Sequence, residues 1–134
     1  MAGTFKFELV SPERVLMSED VEQVVVPGGD GDFAVLPGHA PVISTLRAGV
    51  LDVTAPGGRR QIFVKGGFAE VEPDRLTVLA ERAYDVADFG ADRIAAELET
   101  AEAELAAAKD DAARSRGHTL VDRLKSLQAG GKAH

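Results

Sequence analysis

All six prolines of the chain fall before residue 84, while residues 91–113 carry ten alanines. Proline cannot donate to a sheet ladder or continue a helix, so it punctuates turns, whereas alanine is the strongest helix former. This break demands two kinds of structure in sequence. A chain of 134 residues has room for one domain and an appendage.

The first part reads as strands. Apolar and polar residues alternate through Phe5-Lys6-Phe7-Glu8-Leu9, which puts Phe5, Phe7 and Leu9 on one face. Runs rich in Val, Ile and Leu follow at 21–26, 33–36, 42–46, 50–53, 61–65, 68–71 and 75–79. Pro27-Gly28-Gly29, Pro37-Gly38, Pro56-Gly57-Gly58 and Pro73-Asp74 separate them as turn signals. Short strands at this spacing, without helices between them, predict an antiparallel sandwich or barrel.

After Asp88 the period changes. Ile94, Leu98, Ala101, Leu105 and Ala108 form one stripe on a helix of about five turns within 91–113. Gly117 is read as a break, and a second, shorter helix is expected from 119 to 128, with Leu120, Val121, Leu124 and Leu127 on one face. Residues 88–111 hold eight acids against two bases, and residues 112–134 one acid against five bases. Opposite charge favours folding the second helix back on the first, although a solvated acidic helix with a frayed basic tail has the same composition. The segment 130–134 is expected to be disordered. The division is therefore 1–84 and 85–134.

Composition excludes several functions. A formal net charge of −7 is wrong for a general nucleic-acid binder, which needs a cationic face. The absence of cysteine excludes disulfides, thiol catalysis and Cys-based zinc sites. No apolar run reaches the roughly 20 residues that cross a bilayer, and no signal-peptide core opens the chain. The expectation is a cytosolic protein that meets a membrane only peripherally.

Motifs for chemistry are weak. Gly29-Asp30-Gly31-Asp32-Phe33-Ala34 has dinucleotide-loop spacing, but Val35-Leu36 continues as strand where a helix would have to start, and two Asp residues repel phosphate. A calcium loop starting at Asp30 would need Glu where Pro41 stands. His39, His118 and His134 have no metal-ligand spacing. Between Gly38 and Pro41, His39 is presented rigidly, and chemistry alone favours a structural role for it. A small β-barrel enzyme using His39 with Asp30 or Asp32 is one alternative to a binding protein. A free-standing module whose helices sense a nucleotide is another.

Pro37-Gly38-His39-Ala40-Pro41, followed by Leu46 and Gly49, resembles the signature of the epsilon subunit of bacterial F-type ATP synthases, the counterpart of the mitochondrial delta subunit. Leu9-Val10-Ser11-Pro12, Gly66-Gly67-Phe68-Ala69-Glu70-Val71 and Leu76-Thr77-Val78-Leu79-Ala80 extend the resemblance over 4–84. It implies an antiparallel ten-stranded β-sandwich that docks, followed by a two-helix antiparallel hairpin. It further implies a non-catalytic rotor subunit, without metal or cofactor, on the cytoplasmic face of the bacterial inner membrane. The sandwich would bind the gamma subunit through Ser11, His39 and Ser44, and the membrane c-ring through Asp30, Asp32 and Phe33. The hairpin, with Ile94, Leu98, Leu105, Leu120, Leu124 and Leu127 in its seam, would reach the alpha and beta subunits when extended and regulate ATP hydrolysis. Some members bind ATP through a hairpin motif I/L-D-x-x-R-A. Its matching stretch is Phe89-Gly90-Ala91-Asp92-Arg93-Ile94, which keeps Arg93 but has Gly90 in place of the Asp and lacks the final Ala.

Overall fold

A computed structural model describes residues 3–130. The strands are β1 (Phe5–Val10), β2 (Val15–Val21), β3 (Gln23–Gly28), β4 (Gly31–Val35), β5 (Val42–Thr45), β6 (Gly49–Ala55), β7 (Gly58–Glu72) and β8 (Arg75–Asp85). A short 3-10 turn, Val86–Asp88, precedes helices α1 (Ala91–Ala106) and α2 (Asp111–Gly130). The chain divides into two compact units between Ala87 and Asp88. That is three residues beyond the expected boundary, because β8 runs on to Asp85.

Hydrogen bonding orders the strands β2-β1-β8-β7-β6-β3-β4, with β5 added on β7. The 15-residue β7 pairs β6 through its first half, from Ala55↔Gly58 to Gly49↔Val64, and β5 through its second, from Thr45↔Phe68 to Val42↔Val71. β8 accompanies it in one register, from Ile62↔Asp85 to Glu72↔Arg75. One layer is therefore β2-β1-β8-β7-β5 and the other β8-β7-β6-β3-β4. Eight strands supply five segments to each layer, which corrects the count of ten: the long β7 and β8 serve twice. The purely antiparallel expectation is also corrected, because β1 lies parallel to β8, from Lys6↔Arg75 to Val10↔Leu79.

The two halves of β7 meet at Gly66 and Gly67, with φ of +73° and +115°. A Cβ on Gly67 would overlap the Leu79 carbonyl oxygen and stand 2.9 Å from the Leu79 carbonyl carbon. Only glycine allows the two long strands to turn together there. Between the layers lies one core, which takes Phe5, Phe7 and Leu9 from the predicted face of β1. Val24, Val26, Val53, Val64, Leu76 and Val78 close around them. Each such side chain, fully buried, contributes about 1.5–3 kcal/mol. The core cluster is drawn wholly from residues 5–80.

The helices depart from expectation at their ends. α1 stops at Ala106, and Asp110 caps α2: its Oδ1 accepts from the Ala113 amide at 2.7 Å. α2 thus begins eight residues before 119 and runs through Gly117 without breaking. The glycine sits there for close approach. A Cβ on it would stand 2.9 Å from Leu105 Cδ1 and 3.4 Å from Leu105 Cα. The connection 107–110 turns the chain back, and α1 packs on α2. Ile94, Ala101, Val121, Leu124 and Leu127 are buried, while Leu98, Leu105 and Leu120 are half-buried. Of the tail 130–134, Gly130 ends α2, and the rest lies outside the described residues.

Candidate functional site

Cross-strand partners share a face, so the register identifies what the first layer turns outward. Thr45↔Phe68, Phe68↔Leu79, Leu79↔Val10 and Val10↔Val15 make a continuous row across all five strands. Phe68 is 44% exposed and Val15 56%; Ile43, two residues along β5 from Thr45, is 70% exposed. A second row, Ile43↔Glu70↔Thr77↔Glu8↔Ser18, is polar apart from Ile43. Glu8 in it lies 3.7 Å from Arg75. An apolar row with polar rims on an otherwise charged protein has the character of a docking face.

The residues carried over for the gamma contact border this face and do not converge. Ser11 follows β1, where its Oγ donates to the Arg14 carbonyl at 3.2 Å and accepts from the Arg14 amide at 3.3 Å. His39 lies in the loop before β5, whose Gly38 amide donates to the Pro73 carbonyl at 2.7 Å. Six residues of β7 separate the Gly67 end of the face from the Pro73 end, or roughly 20 Å. The His39 Nδ1 donates to the Ala40 carbonyl at 2.6 Å, and the ring is tilted against Phe33, centroids 6.3 Å apart. Ser44 pairs with the buried Ala69 and shares its inward face, so β5 presents Ile43 and Thr45 outward. Its Oγ donates to the Thr45 carbonyl at 2.9 Å.

Asp30, Asp32 and Phe33 belong to the β3–β4 hairpin. The pair Gly28↔Gly31 leaves Gly29 and Asp30 as its two-residue turn. Asp30 and Asp32 are exposed, and Phe33 packs partly on the core. Asp32 Oδ1 accepts a charge-assisted bond from Arg47 Nη2. No pairing of His39 with either aspartate occurs, and the described residues include no cluster of side chains able to hold a metal ion. Arg93 lies in the first turn of α1, its guanidinium 5.9 Å from the Phe89 ring centroid, and the cap position before it is Gly90, with no side-chain bond. No helix among the described residues is long and apolar enough to cross a membrane.

Ile43, Val15 and Phe68 escape a strand-by-strand reading. One signal was in Phe68-Ala69-Glu70-Val71: if Ala69 and Val71 face inward, a phenylalanine is left on the outer face beside Glu70.

The pattern of the family described as "ATP synthase, Delta/Epsilon chain, beta-sandwich domain" matches residues 4–86. The ATP synthase epsilon chain of Parvibaculum lavamentivorans is 48% identical over 96% of this chain and 98% of its own length. The chain belongs to the ATP synthase delta/epsilon family. Membership makes it a non-catalytic stalk subunit of the synthase, which sets aside the small β-barrel enzyme. The epsilon chain of Rhodospirillum rubrum is 53% identical over 86% of this chain and 87% of its own length. In fold, the chain resembles one in the Euglena gracilis mitochondrial ATP synthase assembly of OSCP, F1 and c-ring, with TM-score 0.70 and 24% identity, covering 96% of this chain and 81% of that one. It also resembles a chain in the Tetrahymena thermophila mitochondrial ATP synthase central stalk and c-ring, with TM-score 0.61 and 11% identity, covering 92% and 96%.

Proposed function

We propose that this subunit couples rotation of the c-ring to the gamma subunit, with the outer face of β2-β1-β8-β7-β5 on gamma and the β3–β4 tip on the ring. The observation that carries the reading is the outward row Phe68, Leu79, Val10 and Val15, exposed at Phe68 and Val15 and half-buried between them, with exposed Ile43 beside it. Such a row gains by desolvation against a partner's apolar surface. Ser11, His39 and Ser44 hold the segments that frame it: the β1–β2 turn, the loop before β5, and β5 itself. At the tip, carboxylates suit a polar or cationic ring surface, mainly by steering and orientation. The complex holds the chain peripherally at the cytoplasmic face of the bacterial inner membrane.

The hairpin is the regulatory element in this reading. Its seam is small, with five buried side chains (Ile94, Ala101, Val121, Leu124 and Leu127), so its packing is marginal, and a change of state costs only a few kcal/mol. Extended, it would reach the alpha and beta subunits and slow ATP hydrolysis. With Gly90 where the family's motif carries Asp, this regulation works without a bound nucleotide.

A fragment of residues 1–87 tests the division of labour. It keeps the whole core cluster and retains the Arg60–Asp85 ion pair at 3.0 Å. Added to synthase lacking this subunit, the fragment should restore gamma binding and proton-driven ATP synthesis to the full chain's level. Only the rate of ATP hydrolysis should change. A folded fragment that binds gamma but fails to support synthesis would assign the coupling to the helices instead.

A further inference from the structure

The two acids of the β3–β4 tip are not equivalent. Asp30 occupies the turn, exposed, with no hydrogen bond or ion pair among the described residues. Asp32 is bound to Arg47, whose side chain is only 12% exposed against 52% for the aspartate. An arginine side chain with so little exposure needs a fixed acceptor for its charge, because an unpaired charge there is costly. Arg47 also grips the other strand of the hairpin. Its amide donates to the Pro27 carbonyl at 3.0 Å, and Pro27 is the cross-strand partner of Asp32.

The neighbouring residues continue the strap. The Gly29 amide donates to the Thr45 carbonyl at 2.8 Å, and Gly28 bridges to Leu46. Thr45, Leu46 and Arg47 therefore run along the base of the two-residue turn. Main-chain bonds fix one strand of the hairpin, and the Arg47 side chain fixes the other.

We propose that Arg47 is the positioning residue of the ring-facing tip, holding Asp32 so that Asp30 is the carboxylate the tip presents. This rests on the assignment of the tip to the c-ring. In it, Asp32 serves the hairpin rather than the ring. Loss of the Arg47 side chain leaves Asp30 chemically intact on a turn tied to 45–47 through main-chain bonds of one strand only, and part of the pre-organisation of that turn is lost from binding.

The test has two readouts on the full chain. Amide hydrogen exchange of Gly29 and the residues of the turn reports the strap in the free protein, without any ring. Binding to purified c-ring in detergent, with gamma present, reports the function. Arg47→Ala should speed exchange at Gly29 and weaken ring binding, each by about tenfold or more. Arg47→Lys, which keeps a cation within reach of Asp32, should recover most of both. Asp30→Asn should weaken ring binding and leave exchange at Gly29 unchanged, whereas Asp32→Ala, which removes the acceptor, should speed that exchange as Arg47→Ala does. Unchanged exchange in a folded Arg47→Ala protein would overturn the positioning role, whatever the ring does. Faster exchange with ring binding indifferent to both Arg47→Ala and Asp30→Asn would overturn the ring-facing assignment and the proposal with it.

Discussion

Replacing Ile43 and Phe68 together by aspartate should weaken gamma binding about 100-fold or more while the sandwich stays folded. Both side chains point away from the core, at 70% and 44% exposure, and neither belongs to the core cluster. Surface substitutions of this kind usually change stability by about 0.5 kcal/mol or less. Binding is different. Each large apolar side chain buried against a partner contributes about 1.5–3 kcal/mol, and each new carboxylate must be desolvated without a counter-charge. Two such losses exceed about 3 kcal/mol, which is two decades in affinity. Titration of the double variant with gamma, beside its thermal melt, gives the answer. A native melt with native affinity would remove this face from the interface.

Gly67→Ala should produce the largest loss of stability of any single methyl added to the sandwich. The new carbon would meet the Leu79 main chain, which cannot turn aside as a side chain could, and φ there is +115°. Strain of that kind costs about 1–3 kcal/mol, and overpacking adds about 1–3 kcal/mol more. The sum is a large share of the roughly 5–15 kcal/mol that holds an ordinary domain together. Urea unfolding should show a midpoint far below the parent's, and the variant should bind gamma weakly because Phe68, next in the chain, moves with the bend. A midpoint equal to the parent's would mean that β7 and β8 do not turn at this residue.

Sequence periodicity reveals a strand when one of its faces is buried and the other is wet, as in Phe5-Lys6-Phe7-Glu8-Leu9. It failed at Val15–Val21, where Val15 is exposed and the polar Ser18, Glu19 and Asp20 of an edge strand blur the alternation. It also divided β7 at Gly66-Gly67, since a glycine pair usually signals a turn. Here the pair bends a continuous strand, and only the unbroken register with β8 reveals it. The same ambiguity made Gly117 look like a helix end, when its neighbour is Leu105 across the hairpin. At the candidate site, Pro37-Gly38-His39-Ala40-Pro41 was legible through its resemblance to a family. The Asp32–Arg47 pairing was not, because its members stand 15 positions apart in the chain. Nor was the outer row, whose members come from five strands and meet only through the sheet's register.

If this chain is the coupling subunit proposed above, gamma and the c-ring together attach it to the membrane. Co-sedimentation decides this, using vesicles of bacterial lipid alone, vesicles carrying the c-ring, and vesicles carrying the c-ring with gamma. The full chain should stay in the supernatant with lipid alone and pellet when both gamma and the ring are present. Pelleting equally with bare lipid, or failing to pellet with gamma and the ring, would contradict the account.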